Sequence, residues 1–312
     1  MFGALAPLLV LLFIAPVLLL VGVLIAAGVL GTYRTGLHRG ALFARWVGFL
    51  LGTLVVGLLV GAGANGVPGS GPLAFGALAA LGPAAGGLVL VLAIAAGELH
   101  LPAPTPTERR ASLRRRTLGD LVPRAALVLD AVALGAFALV TTVSTLLATS
   151  GRFFSTMQDS ADGSRLRSIA SPFPGAHYTV PIWASLLLLV VSVVLVLRLI
   201  LHRRPSDDPQ DILLRRRSST SVLGALVLSC ALTLVPVAGL MAMPLASASG
   251  PWTGFALVVA GLGVLVGGLA LLAGLVMVVF PEVIARRPAA ADGPAPELVV
   301  EGHGPAAAGA RP

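Results

Sequence analysis

Lysine is absent from this chain of 312 residues, and cysteine and asparagine occur once each, as Cys230 and Asn65. A single cysteine excludes an intrachain disulfide and a Cys-x-x-Cys redox pair. Charged residues make up only 11% of the chain, whereas soluble proteins average about 25%. With a mean hydropathy of +0.97, the chain is too apolar for an aqueous domain, and its composition indicates membrane spans.

The sequence also lacks the common signatures of catalysis and of nucleotide or metal binding. It contains no His-Glu-x-x-His pair, no P-loop and no Gly-x-Ser-x-Gly elbow. Residues 159–163 look faintly like a calcium loop, but the following ligand positions and the acid at position twelve are missing. We therefore expect no metal and no cofactor, and no enzyme class is indicated.

Arginine supplies all 21 positive charges, and 18 of them lie in four places that alternate with nearly uncharged apolar stretches. These places are residues 31–45, 98–124, 198–219 and 281–312. Cytoplasmic flanks of transmembrane helices keep their arginines, so the alternation predicts a topology. The arginines that give the chain its net charge of +8 are therefore expected to lie beside lipid headgroups. Nucleic-acid binding is not predicted, because the sequence has no basic patch with interleaved aromatic residues.

The predicted fold is all-α, a polytopic bundle of seven transmembrane helices in the cell membrane, with the N-terminus outside and the C-terminus inside. The predicted spans 1 to 7 are about 6–30, 46–64, 72–97, 125–148, 183–202, 220–243 and 253–280. Span 1 lacks the basic flank of a signal peptide, and its apolar run is too long for one. The spans form one domain, residues 1–282, and the Ala/Pro/Gly-rich residues 283–312 are expected to be a disordered cytoplasmic tail.

The arginine-rich loops predict the main partner, which is the lipid bilayer with its anionic headgroups. The arginines expected to contact headgroups are Arg109, Arg110, Arg114, Arg115, Arg116, Arg215, Arg216 and Arg217. A homo-oligomer, or assembly with a transport system as its partner subunit, is compatible with such a bundle. Glu98 and His100, at the inner end of span 3, are interpreted as ordinary interface residues, because no third metal ligand accompanies them.

Asp130 is the acid that lies deepest in a predicted span, about 9 Å past Arg124 at 1.5 Å per residue. Thr141, Ser144 and Thr145 fall within about 60° of its direction on the same helix, so span 4 carries one polar stripe. The stripe predicts either a pathway for a solute or hydroxyls that bond neighbouring helices as packing contacts. Both interpretations stay open at this point.

Arg198 is the predicted ion-pair partner of Asp130. It lies about 7.5 Å inside the membrane edge of span 5, close to the depth of Asp130 in span 4. A carboxylate inside a membrane costs several kcal/mol unless it is paired, neutral or turned into the bundle. The alternative is that Arg198 reaches outward to the headgroups along its flexible stem.

Small residues and prolines predict where helices approach and bend. Gly57-x-x-x-Gly61 and Gly263-x-x-x-Gly267 are typical of close helix packing. Pro83 in span 3 and Pro236 in span 6 predict a bend or an unwound point in mid-membrane.

Two segments give the chain a resemblance to a family of proteins. These are Ser171-Pro172-Phe173-Pro174-Gly175-Ala176-His177-Tyr178-Thr179-Val180-Pro181 before span 5, and Asp207-Asp208 with Leu214-Arg215-Arg216-Arg217-Ser218-Ser219 before span 6. With them the chain resembles uncharacterised multi-pass membrane proteins of high-GC Gram-positive bacteria (actinobacteria). The resemblance implies the topology and the origin, and it brings no activity.

Three functions are compatible with these features. The first is transport of a small solute, or membership of a transport system, along the polar face of span 4. The second is a structural or signalling membrane protein in which Asp130 and Arg198 only hold helices together. The third is a lipid-modifying transferase at the inner face, for which Asp207, Asp208 and Asp211 would be the metal-binding acids.

Overall fold

Six long helices dominate the structure, a computed structural model that describes residues 39–65, 76–100, 118–159, 165–203, 211–248 and 250–285. The long helices are α1 (Arg39–Asn65), α2 (Ala77–Leu99), α4 (Arg124–Leu147), α5 (Ala176–His202), α6 (Asp211–Leu245) and α7 (Thr253–Val279). Two short helices, α3 (Leu118–Leu121) and α8 (Pro281–Ala285), and two strands, β1 (Phe154–Asp159) and β2 (Arg165–Ala170), complete the described elements.

The six long helices are each long and apolar enough to cross a membrane, and they fit a multi-pass membrane protein. They coincide with predicted spans 2 to 7. Predicted span 1, at about 6–30, and most of the predicted tail lie outside the described residues. The two prolines do not end their helices, since α2 continues through Pro83 and α6 through Pro236.

The segment between predicted spans 4 and 5, residues 149–182, contains regular structure that the sequence did not predict. β1 and β2 form an antiparallel hairpin in which Phe154 is opposite Ala170 and Asp159 is opposite Arg165. The following helix already begins at Ala176 rather than near residue 183. We call the end of the bundle that carries this hairpin the hairpin end, and the opposite end, where Arg203 and Asp211 lie, the arginine-rich end.

Helix α6 is the centre of the bundle. In the apolar part of α6, 72% of the residues are buried inside the structure. The corresponding share is 22–50% in the other five long helices. It packs against α2, α4, α5 and α7, and it buries hydroxyls such as Ser221, Ser229 and Thr233 among its apolar residues. Ser229 donates a hydrogen bond to the backbone oxygen of Pro83 at 2.9 Å, which ties α6 to α2.

Glycines let two pairs of helices approach closely. The predicted pair Gly263 and Gly267 faces α6, where an added Cβ would lie 3.0 Å or less from a neighbouring side chain. For the other predicted pair, Gly57 and Gly61, no atom of another described element lies within 4 Å of an added Cβ. The close approach between α1 and α2 instead uses Gly52 and Gly86, where a Cβ on either would lie 2.6–2.7 Å from the carbonyl oxygen of the other.

Candidate functional site

A buried ionic network lies at the arginine-rich end, where α5 gives way to α6. Asp211, the first residue of α6, accepts a hydrogen bond from Nε of Arg215 at 2.8 Å and another from Nη2 of Arg203. The side chain of Arg215 has no solvent exposure. Because a buried charge is costly without a counter-ion, this pairing is what allows Arg215 to lie inside the bundle.

Arg215 also completes the hydrogen bonding at the end of α5. Its Nη1 donates to the carbonyl of Ile200 at 2.8 Å, and its Nη2 donates to the carbonyl of Arg203 at 3.1 Å. The last carbonyls of a helix have no partner within that helix. One guanidinium therefore satisfies the end of α5 and the start of α6 together.

Glu98 extends the network to a third helix, α2. Its Oε1 accepts a hydrogen bond from the hydroxyl of Ser218 at 2.6 Å, and its Oε2 lies 3.3 Å from Nη1 of Arg203. Glu98 is buried, so it is not the ordinary interface residue that the sequence predicted. The network thus joins α2, α5 and α6, with Glu98 and Asp211 facing Arg203 and Arg215.

The network corrects part of the predicted contact with lipid headgroups. Arg215 is fully buried and Arg217 is 6% exposed, so neither lies on the surface where headgroups are expected, and Arg216 is half-buried. The i, i+4 spacing of Asp211 and Arg215 is the sequence signal that could have indicated the pair. The other predicted headgroup contacts, Arg109, Arg110, Arg114, Arg115 and Arg116, lie outside the described residues.

The acids proposed for a transferase do not form a metal site in the described part of the chain. Both carboxylate oxygens of Asp211 are engaged by arginines, and Asp207 and Asp208 lie outside the described residues. The described residues contain no group of three His, Cys, Asp or Glu side chains that could hold a metal ion.

The ion pair predicted between Asp130 and Arg198 is not formed. Asp130 is 6% exposed, and neither of its carboxylate oxygens has a hydrogen-bond partner among the described residues, whereas Arg198 is exposed. Asp130 is thus turned into the bundle and Arg198 outward, and α4 packs against α6. Matched depth in two spans was therefore insufficient, because the two residues face different neighbours.

The predicted polar stripe on α4 turns into the bundle, but its hydroxyls are used in packing. Thr141 accepts a hydrogen bond from the indole of Trp183 at 3.2 Å, and Ser144 donates to the carbonyl of Pro174 at 2.5 Å. Thr145 and Thr179 share a hydrogen bond of 2.9 Å between their hydroxyls. These contacts join α4 to α5 near the hairpin end, and they leave Asp130 as the member of the stripe without a partner among the described residues.

A cavity of about 440 Å³ lies among α1, α2, α5 and α6, towards the hairpin end. Its lining is almost entirely apolar, with Thr233 and Tyr178 as the polar side chains. The residues that line it are Val56, Val60, Gly76, Ala79, Ala80, Pro83, Pro172, Phe173, Pro174, Tyr178, Ile182, Leu232, Thr233, Pro236, Val237 and Leu240. The sequence did not predict this cavity, because its walls come from four separate helices.

Two prolines from different helices meet at the cavity. Proline has no N–H, so Pro83 deprives the carbonyl of Ala79 of its usual helical donor, and Pro236 does the same to Leu232. All four of these residues line the cavity. The cavity wall therefore combines apolar surface with two residues, Ala79 and Leu232, whose carbonyls lack their usual helical donor.

The class of this protein follows from its helices and from the geometry of its described residues. The long apolar helices fit a multi-pass membrane protein. The described residues combine a sealed ionic end, an unpartnered intramembrane acid and an apolar cavity at the opposite end. Comparison with protein-family models, with curated proteins and with solved structures gives no match.

Proposed function

We propose that this protein is a multi-pass protein of the cell membrane that carries a small, largely apolar solute, bound in the cavity at the hairpin end. The observation that supports this proposal most directly is the cavity of about 440 Å³ at which two proline-containing helices meet. That volume lies within the range of about 300–1,000 Å³ that small-molecule sites have. Both prolines lie inside continuous helices, and each deprives one carbonyl of its helix of the usual donor.

The lining supports a specific kind of solute. Apolar walls favour a molecule with an apolar body, because transfer of a charged group into them is costly. The carbonyls freed at Ala79 and Leu232 favour one N–H or O–H donor on the solute. We therefore propose a neutral molecule, and its route differs from the route along α4 that the sequence predicted.

The two ends of the bundle support a carrier that is open on one side. With the proposed topology of seven spans, N-terminus outside and C-terminus inside, the cavity lies in the outer half of the membrane. At the inner end, the contacts of Glu98, Arg203 and Asp211 hold α2, α5 and α6 together. Such an arrangement corresponds to an outward-facing state, whose inner seal must loosen to release the solute inside.

A structural role is the second candidate, and it has its own supporting observation. Ser144 and Thr145 bond partners on the segment before α5 and on α5 itself, as expected of residues that only join helices. The lipid-modifying transferase is less well supported, since Asp211 is occupied by two arginines.

The proposal is tested by filling the cavity with a larger side chain and by measuring binding and uptake of the solute. Purified protein is screened by thermal shift against neutral apolar molecules that carry one donor group, and the compounds that stabilise it are assayed for uptake into proteoliposomes. Ala80→Phe places a ring in the cavity and should abolish both the thermal shift and the uptake. Val258→Phe, at a position of α7 that is 61% exposed, is the matched control and should retain both.

Other outcomes separate the candidates. If phospholipid co-purifies with the wild type, is lost in Ala80→Phe, and no screened molecule is taken up, the cavity holds an acyl chain and the carrier proposal fails. If neither stabilisation nor uptake is found for any compound, the structural role replaces it.

A further inference from the structure

The arginine-rich end contains a further buried arginine besides Arg215 and Arg217. Arg45, in the second turn of α1, is 5% exposed. Its Nε and Nη2 are buried without a hydrogen-bond partner in the part of the chain that the structure describes. The buried guanidinium of Arg215, by comparison, donates hydrogen bonds to one carboxylate and two backbone carbonyls. Arg45 has donors of the same kind, but its Nε and Nη2 have no acceptor within the described ranges.

The neighbour of Arg45 adds a third donor. The indole nitrogen of Trp46 is also buried and has no hydrogen-bond partner in the described ranges. The guanidinium carbon of Arg45 lies 5.5 Å from the centroid of the Trp46 ring. Two consecutive residues thus present three donor nitrogens that have no acceptor among the residues that the structure describes.

The charged groups nearest to Arg45 come from two other helices. Glu282 of α8 and Arg217 of α6 are the residues whose charges act on Arg45. The carboxylate of Glu282 lies 3.9 Å from Nε of Arg217, so it already faces another arginine, and it makes no hydrogen bond to Arg45. α1, α6 and α8 therefore bring two arginines and one carboxylate to the same region of the arginine-rich end.

We propose that Arg45 and Trp46, with Arg217 opposite them, form a binding site for a phosphate group. Phosphate has several acceptor oxygens and takes charge-assisted hydrogen bonds from guanidinium groups in this geometry. Burial of a guanidinium group is costly, and a bound anion lowers that cost.

The place of the site also suits an anionic headgroup. Arg45 ends the first arginine-rich stretch of the sequence and begins the apolar run of α1, which is the depth at which headgroups meet hydrocarbon. Tryptophan is enriched at the same depth. Phosphate could come from a lipid headgroup or from a soluble phosphate compound, and the chemistry of the site is shared by both.

The experiment measures stabilisation of the delipidated full-length protein in detergent. Thermal unfolding is followed while phosphatidylglycerol, phosphatidylcholine or inorganic phosphate is added. The variants are Arg45→Gln, which removes the charge, and Arg198→Gln, which removes an exposed arginine of α5 as a matched control. We expect phosphatidylglycerol to stabilise the wild type and Arg198→Gln alike, with about tenfold or more weaker apparent affinity in Arg45→Gln, as for a lost charge-assisted hydrogen bond.

The arms of the experiment separate the sources of phosphate. Stabilisation by phosphatidylglycerol alone, dependent on Arg45, assigns the site to a lipid headgroup. Stabilisation by inorganic phosphate, with the same dependence, assigns it to a soluble phosphate compound. Equal responses of Arg45→Gln and Arg198→Gln would overturn the proposal, because the effect would then be general surface charge.

A second variant keeps the test decisive if Arg45→Gln does not fold. Trp46→Phe removes only the indole N–H and keeps the ring. Native mass spectrometry then counts the phosphatidylglycerol molecules retained by the wild type and by Trp46→Phe. One fewer retained molecule in the variant supports the site, and an unchanged number contradicts it.

Discussion

At the scale of single residues, buried charges in this bundle fall into two groups according to their partners. Asp211 has an arginine on each carboxylate oxygen, whereas Asp130 has no hydrogen-bond partner among the described residues. Both side chains are similarly buried, at 5% and 6% exposure. Their contributions to stability should therefore differ in size, although their chemistry is the same.

Asparagine substitutions measure this difference. Asp211→Asn removes the carboxylate that Arg203 and Arg215 both bond, so we expect the free energy of unfolding to fall by about 3 kcal/mol, as for a broken buried ion pair. Asp130→Asn strands no partner and should change it by less than about 1 kcal/mol. Unfolding of the purified protein in detergent, followed by far-UV circular dichroism, gives both values. If Asp130→Asn is as destabilising as Asp211→Asn, Asp130 has a partner that lies outside the described residues.

At the scale of helices, packing depends on which glycines face a neighbour. The Gly-x-x-x-Gly pattern occurs at Gly48 and Gly52, at Gly82 and Gly86, and again at Gly57 and Gly61. Gly52 and Gly86 meet, whereas an added Cβ on Gly57 would have no atom of another element within 4 Å in the described part of the chain. The spacing alone does not distinguish them, because it does not say where the partner helix crosses.

Alanine substitutions test this packing. In Gly52→Ala the new Cβ would lie 2.6 Å from the carbonyl oxygen of Gly86, and backbone cannot move aside as a side-chain tip can. We expect α1 and α2 to separate slightly, at a cost of about 1–3 kcal/mol. Gly57→Ala is the control and should be neutral or slightly stabilising, since alanine is the better helix former. Equal loss of thermal stability in both variants would contradict the proposed crossing.

At the scale of the whole molecule, the two ends of the bundle differ in chemistry. One end is joined by Glu98, Arg203, Asp211 and Arg215. The other carries the hairpin and the apolar cavity. If the arginine-rich end is cytoplasmic, the hairpin end lies on the outer side of the membrane, and the cavity faces the outside.

Reporter fusions determine that direction. Fusions within 155–175 and near 247 should report an outside location, and fusions at 38, 110, 210 and 300 should report an inside one, because arginine-rich loops stay in the cytoplasm. Alkaline phosphatase and green fluorescent protein are the two complementary reporters. A cytoplasmic signal from 155–175 would reverse the topology and place the cavity in the inner half.

The sequence predicted those features that depend on composition along the chain. Six of the predicted spans coincide with helices, because apolar length is a local property that needs no knowledge of neighbours. The positions of the arginines at the ends of these spans are likewise a local property of the sequence. The inward direction of Asp130, Thr141 and Ser144 also followed from helical periodicity.

The tertiary structure alone decided which side chains meet. Asp130 and Arg198 share a depth but not a neighbour, and Glu98 meets Ser218, which is 120 residues away. The cavity needs walls from four helices, so no single segment carries its signal. Spans and their order were thus determined by the sequence by itself, since transfer into lipid acts on each segment separately. Ion pairs, glycine contacts and the cavity depend on how the helices rotate and cross, and only packing sets that.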